Sequence, residues 1–204
     1  MRKPLLSLAI LALFAAPTFA AGKLAIGDKA PSFDGIPAVS GSQDTSVSLS
    51  DIKEDVVVVV FLANHCPMVG FNEDRIIDLA NSFKDKSVKV VGISCTGAEG
   101  YKEKDDIPAI KTRVKEKGYN YIYGYDESGA IGKAYGATVT PEFFVLDKAR
   151  NVRYHGLLDD NPRDETKVTK TYAKDAISAL LSGKDIEKTE TRAQGCGIMY
   201  GKSK

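Results

Sequence analysis

Residues 56–67 read Val-Val-Val-Val-Val-Phe-Leu-Ala-Asn-His-Cys-Pro. The apolar run over 56–62, five of it valine, is bounded by Asp55 and Asn64. Its length and β-branched composition predict a central strand buried on both faces. Pro67 opens a different pattern, because its missing N–H is no loss at a first helical position. Val69, Ile76, Leu79, Ala80 and Phe83 fall on one face of a helix expected over residues 67–83. Cys66 stands where the strand gives way to the helix.

That position has chemical consequences. Unpaired backbone N–H groups and the helix dipole favour negative charge at a helix start. A cysteine there has a lowered pKa and a larger thiolate fraction. His65, when protonated, adds to the same effect. The carboxyl end of a central strand is also where active sites gather in α/β sheets. A buried, inert strand-end cysteine is the plainer alternative. The coincidence of strand end, helix start and Pro67 favours a reactive thiolate, which must be reachable from solvent.

Working outward, residues 35–50 are rich in Gly, Ser and Asp and predict a loop with at most a hairpin edge. Residues 88–94 predict a second buried strand. Ile107, Ile110 and Val114 mark a helix stopped by Gly118. Tyr119, Tyr121, Tyr123 and Tyr125 alternate and predict a strand with one aromatic face. Ile131 and Tyr135 belong to a short helix. Strands are expected over 142–146 and 152–157, joined by a turn, and a last helix over 170–181 ends at Gly183. The order is strand, helix, strand, helix, strand, helix, strand, strand, helix. It predicts an α/β fold with a mixed central sheet and helices on both faces. Pro141, in Val139-Thr140-Pro141-Glu142, opens one of those strands and is a candidate cis proline.

The first twenty residues read as an address. Arg2 and Lys3 precede a short apolar run, and Thr18-Phe19-Ala20 offers small residues for cleavage after Ala20. The expected division is a signal peptide over 1–20, then one domain over 21–204 with a polar, Cys-bearing tail over 184–204. Export to the periplasm or outside the cell follows, with no membrane anchor after cleavage. Losing residues 1–20 removes Arg2, Lys3 and no acid, turning a net charge of +1 into −1. Nothing in that balance draws the chain to nucleic acid. Three cysteines, Cys66, Cys95 and Cys196, cannot all pair within one chain.

Several stretches resemble a known family. Gly27-Asp28-Lys29-Ala30-Pro31-Ser32-Phe33 is similar to the opening motif of the alkyl hydroperoxide reductase/thiol-specific antioxidant family. Residues 61–67, then Glu73-Asp74-Arg75, residues 156–161 and Gly195-Cys196-Gly197-Ile198 resemble its peroxiredoxin-like (redoxin) branch. The resemblance implies a thioredoxin-like fold, with an insertion after the second core strand. It implies that Cys66 matches the first cysteine of a C-x-x-C motif and Pro141 the cis proline.

Two departures limit what it implies about activity. Position 69, where the second C-x-x-C cysteine falls, is Val69. The peroxidase signature P-x-x-x-[ST]-x-x-C fails as well, since Val59 and Ala63 stand where a signature ending at Cys66 needs Pro and Ser or Thr. The expected activity is therefore that of an exported thiol-disulfide oxidoreductase or antioxidant protein acting through one reactive cysteine, Cys66. The substrate is a protein or small-molecule disulfide or a peroxide, and the electron donor an unidentified thiol protein. Resolution needs a second thiol. Cys196 is the better candidate, in a glycine-flanked tail free to swing; a passive tail thiol is the alternative. Cys95 ends the neighbouring strand and is more simply a packed residue. Candidate catalytic residues are thus Cys66, Cys196, Pro141 and His65, with no cofactor and no metal expected.

Other readings stay open. A copper(I) site on His65 and Cys66 would need Cys95, Cys196 or His155, none at a recognised metal spacing. A binding module that has kept the fold without the chemistry is a third. Residues 102–106 read as a solvated, charged helix face. Arg75, roughly 13 Å along the helix from Cys66, reads as one half of a surface ion pair. Asp159-Asp160 reads as a polar turn, and His155 as a structural residue within its strand.

Overall fold

The computed structural model describes residues 24–201, so the expected signal peptide lies outside the described residues. The chain begins with a hairpin, β1 (Ile36–Ser40) and β2 (Gln43–Val47), where the sequence predicts mostly loop. Then come β3 (Val56–Leu62), α1 (Pro67–Gly70), α2 (Glu73–Ser82) and β4 (Val88–Ser94). α3 (Ile107–Lys117) and β5 (Ile122–Tyr125) form the insertion, and α4 (Ala130–Tyr135) follows. β6 (Val139–Thr140), β7 (Glu142–Leu146), β8 (Val152–Gly156), α5 (Tyr172–Leu181) and β9 (Cys196–Gly197) complete the chain.

Seven strands form one sheet in the order β2-β1-β5-β4-β3-β7-β8. β3 runs parallel to β4, and β4 to β5; β7 pairs antiparallel with β3 and β8. The sheet is therefore mixed, as the late hairpin requires. β3 is buried along its whole length and feeds two cores. Val56, Val58, Val60 and Leu62 face α2, α3 and α5 through Ile76, Ile110 and Ile177. Val57, Val59 and Phe61 face Ile131 and Tyr135 of α4, with Ala30 and Phe33 of the entry segment. An unbroken valine run is what such a strand needs, because each of its faces meets a covered layer.

Two predicted elements differ in extent. The helix expected over 67–83 is broken at Phe71 and Asn72. The Asn72 amide donates to the carbonyls of Met68 and Pro162 (2.6 and 2.8 Å), anchoring the break to the loop before α5. Only Ile122–Tyr125 of the tyrosine stretch is strand, yet all four tyrosines are buried in the core shared with α2 and α3. The Tyr119 hydroxyl donates to Glu73 at 3.0 Å, and its own pKa is pushed up to about 12 by burial and that carboxylate.

Candidate active site

The turn out of β3 carries the first candidate residues. The Cys66 N–H donates to the Ala63 carbonyl (3.1 Å), and Cys66 caps α1 with extended backbone. Asp105, fully buried in the connection from β4 to α3, holds this turn from the side. One of its carboxylate oxygens accepts the Asn64 N–H; the other lies 2.5 Å from Nδ1 of His65. The Asn64 amide donates to the Lys104 carbonyl at 3.0 Å. The ring of Tyr101 covers that of His65 at 5.0 Å between centroids. Glu103 and Lys104 are solvated, as expected of a charged helix face, but the Asp105 carboxylate of the same run is turned inward to fix the residues next to Cys66.

The second wall is the cis-proline segment. The Thr140–Pro141 peptide bond is cis. The Thr140 carbonyl oxygen lies 3.2 Å from Sγ of Cys66. Glu142, the next residue after the proline, is buried and bonds backward: its carboxylate accepts the N–H groups of Thr138 and Val139 (2.8 and 3.2 Å). Its other oxygen meets Nε2 of His155 at 2.6 Å, and the His155 ring stacks on Phe144 at 4.4 Å. His155 is structural, as its place within a strand suggests.

The third wall is the tail. Cys196 is joined to Cys66 by a disulfide, with a Cα–Cα distance of 6.0 Å across a sequence separation of 130. The tail is not free to swing in this state. β9 pairs antiparallel with β6, Thr140 opposite Cys196 and Val139 opposite Gly197, and the Ile198 N–H donates to the Thr138 carbonyl (3.0 Å). Upstream, the Thr191 N–H donates to the His155 carbonyl (3.0 Å), and the Thr191 hydroxyl accepts the Leu157 N–H (2.8 Å). Downstream, the Met199 carbonyl accepts the N–H groups of Gly97 and Ala98 (3.1 and 3.0 Å), and the Tyr200 hydroxyl donates to the Ala137 carbonyl (2.8 Å). Gly195 is needed where it stands, because a methyl group built on it would collide with the Thr140 carbonyl.

Cys66, Cys196, Pro141 and His65 therefore gather at one place, and Cys95 does not. Cys66 belongs to the core under α2, α3 and α5, whereas Cys95 belongs to the core on the opposite face of the sheet. Burial and the Asp126 carboxylate push the Cys95 thiol well above the ordinary cysteine range. Among the described residues, no group of three or more His, Cys, Asp and Glu side chains is arranged to hold a metal ion.

Two expectations for Cys66 are corrected. It is 2% exposed, so in the disulfide state it is not reachable from solvent. The helix it caps is a single turn, and the N–H groups of Val69 and Gly70 donate to the Cys66 carbonyl (3.0 and 3.2 Å). A single turn sums fewer peptide dipoles than an unbroken helix over 67–83 would, so the helix mouth offers the sulfur less.

The Glu73-Asp74-Arg75 stretch braces the site from below. The Glu73 carboxylate meets Arg113 and Lys117 of α3 at 2.7 and 2.6 Å. Arg75 pairs with the buried Asp159 and donates to the carbonyls of Phe71, Asn161 and Pro162 (3.1, 3.2 and 3.3 Å). Its side chain is 13% exposed, so the pair is a buried clip and not a surface one.

Sequence reasoning missed Asp105 and Glu142. Asp105 lies in a charged run, and its inward turn depends on the Asn64 N–H, 41 residues away; Glu142 turns inward on the nearby N–H groups of Thr138 and Val139 and on His155 of the neighbouring strand. The only local signal is that Glu142 follows Pro141 in a predicted core strand, where an acid is out of place.

Comparisons with known proteins agree with this geometry. The model of the AhpC/TSA family matches residues 26–155, a span that includes Cys66 and stops short of Cys196. The thiol-disulfide oxidoreductase ResA of Bacillus thuringiensis subsp. konkukian is 26% identical over 126 residues, 62% of this chain and 66% of the relative, just under two thirds of its length. An uncharacterized conserved protein from Geobacillus kaustophilus is similar over nearly the whole chain: 31% identity, TM-score 0.80, 94% of this chain and 100% of that one. The thioredoxin domain of a thiol-disulfide oxidoreductase from Bacteroides vulgatus shares the fold, with TM-score 0.54 at 22% identity over 66% of this chain and 90% of that one. With Cys66 at the end of β3, a cis proline beside it and a thioredoxin-like sheet around both, the chain belongs to the AhpC/TSA family.

Proposed function

We propose that this protein is an exported thiol-disulfide oxidoreductase whose working couple is Cys66 and Cys196. The observation that carries the reading is the pairing of these two cysteines from opposite ends of the domain, beside the cis-proline segment. In the dithiol state, the Cys66 thiolate attacks one sulfur of a substrate disulfide and the other sulfur leaves with the electron pair. Cys196 then attacks Sγ of Cys66, releases the reduced substrate and closes the Cys66–Cys196 bond. Two electrons pass to the substrate, and the protein is left oxidised. Cys196 takes the part that Val69 cannot, so one reactive cysteine and a resolving tail cysteine suffice.

His65, next to Cys66 in the chain, is held in place by Asp105. The segment at Pro141 sets the Thr140 carbonyl against the Cys66 sulfur. The lack of the peroxidase signature around Cys66 favours disulfides over peroxides as substrates. The signal-like residues 1–20 support an envelope or secreted location, where such exchange has substrates.

A disulfide-reductase assay on the mature dithiol protein tests the reading. Cys66→Ser is expected to lose activity by at least ~100-fold, and Cys196→Ser to stall as a mixed disulfide on Cys66. Peroxide consumption no faster than that of free cysteine is expected in parallel. Wild-type disulfide-reductase activity in Cys66→Ser would refute the assignment.

A further inference from the structure

Cys66 and Cys196 do not meet solvent equally. Cys66 is 2% exposed, packed among Ala63, Val69 and the rest of its core, with the Thr140 carbonyl against its sulfur. Cys196 is partly exposed, and the glycines on either side of it are exposed too. Those glycines carry no side chain to screen their neighbour.

A thiolate attacks a disulfide sulfur along the line of the S–S bond, from the side opposite the leaving sulfur, and the reaction depends on which sulfur is accessible. For Cys66, that approach runs through packed protein. Cys196 packs in part against the same core but is the more exposed of the two, with exposed glycines on either side of it. We infer that the thiol which returns the protein to its dithiol form enters at Cys196, not at Cys66, the sulfur that the strand-end position would nominate. The inference rests on the Cys66–Cys196 couple proposed above.

A donor thiolate bonds to Sγ of Cys196, the Cys66–Cys196 bond breaks, and the electron pair leaves on Sγ of Cys66. A second donor thiolate attacks the donor sulfur of the mixed disulfide and expels Cys196 as thiolate. One donor disulfide is formed, and the protein gains two electrons and, after protonation, two protons. Cys66 leaves into a site with His65 beside it in sequence, and a better-stabilised leaving thiolate leaves faster. The partner is then a thiol donor that meets an exposed strand edge at residues 195–197, with no need to reach into the pocket under the tail. Cys66 would meet its own substrates only once the bond is open and the tail can lift.

The test uses the oxidised full-length mature protein and reduced glutathione. The reaction is quenched with acid within the first few per cent of conversion, free thiols are alkylated with N-ethylmaleimide, and the glutathione adduct is located by peptide mass spectrometry. The expected result is at least ~10-fold more adduct on Cys196 than on Cys66, with maleimide on Cys66 of the same molecules. Adduct mainly on Cys66, or shared equally, overturns the inference and leaves the redox couple standing. A disulfide that resists glutathione and also dithiothreitol, under conditions that keep the protein folded, overturns the couple and the inference together.

Discussion

Asp105 carries more of the site than its surroundings in the sequence suggest. Fully buried, its carboxylate holds the Asn64 N–H and the His65 ring beside Cys66. Removing one partner of a buried, charge-assisted contact leaves the others unpaired, which costs about 2–4 kcal/mol. Asp105→Ala should lose about that much in urea unfolding at pH 7 and slow disulfide exchange, while Asp106→Ala, which removes only the α3 cap to Ala109, should lose about 1 kcal/mol. Cys95 makes a contrasting prediction. Its thiol is 1% exposed and its pKa is raised by burial and Asp126. In the native protein at pH 8 it should stay unmodified by iodoacetamide while reduced Cys196 reacts, and should become reactive only in denaturant. Labelling of Cys95 at the rate of a small-molecule thiol would contradict its placement.

At the scale of elements, the tail strand is the part that holds the couple together. β9 on β6 keeps Cys196 opposite Thr140, and so raises its effective concentration at Cys66 far above that of a loose tail. Gly195→Ala puts a methyl group against the Thr140 carbonyl and should weaken that pairing. The expected outcome is a shift of the dithiol–disulfide equilibrium toward the dithiol by tenfold or more, about 30 mV in a two-electron couple, read in glutathione redox buffers. Gly197→Ala, which meets nothing within 4 Å, serves as control and should shift it little. β3, β4, β7 and α3 were legible because their signals are local: continuous apolar runs, the helical spacing of Ile107, Ile110 and Val114, a closing Gly118. β6 and β9 were not. Each is two residues long, and what makes them strands is each other, joined across the fold. The β1–β2 hairpin was legible only as an edge to a loop, because its exposed second strand carries no apolar pattern.

Across the whole molecule, the site is fixed by buried carboxylates whose charge the fold depends on. Burial works to raise the pKa of Glu73, but Lys117, Arg113 and Tyr119 outweigh it and hold the carboxyl below its ordinary value. A carboxyl lowered in the folded state stabilises the protein above its unfolded pKa, and that contribution is lost as pH falls through the folded value. Asp159 works with the opposite sign, because burial leaves its pKa raised despite Arg75. Glu73→Gln should therefore be less stable than wild type at pH 7 by about 2–3 kcal/mol, with the gap narrowing below about pH 4.5; urea unfolding at pH 7 and pH 3.5 measures both. The strand-end cysteine and the cis proline could be read from the sequence, because each sits at a junction of local patterns. The disulfide partner could only be narrowed to two candidates, since spacing along a chain does not tell which face of a sheet a residue joins. Cys66 and Cys196 are expected to form one reversible two-electron couple. Its most direct test is equilibration of the mature protein in dithiothreitol redox buffers of graded potential, with each cysteine followed by mass-tagged alkylation. One transition is expected, in which Cys66 and Cys196 gain their tags together while Cys95 does not change. Tagging of Cys66 that is independent of potential, or pairing of Cys66 with Cys95, would contradict it.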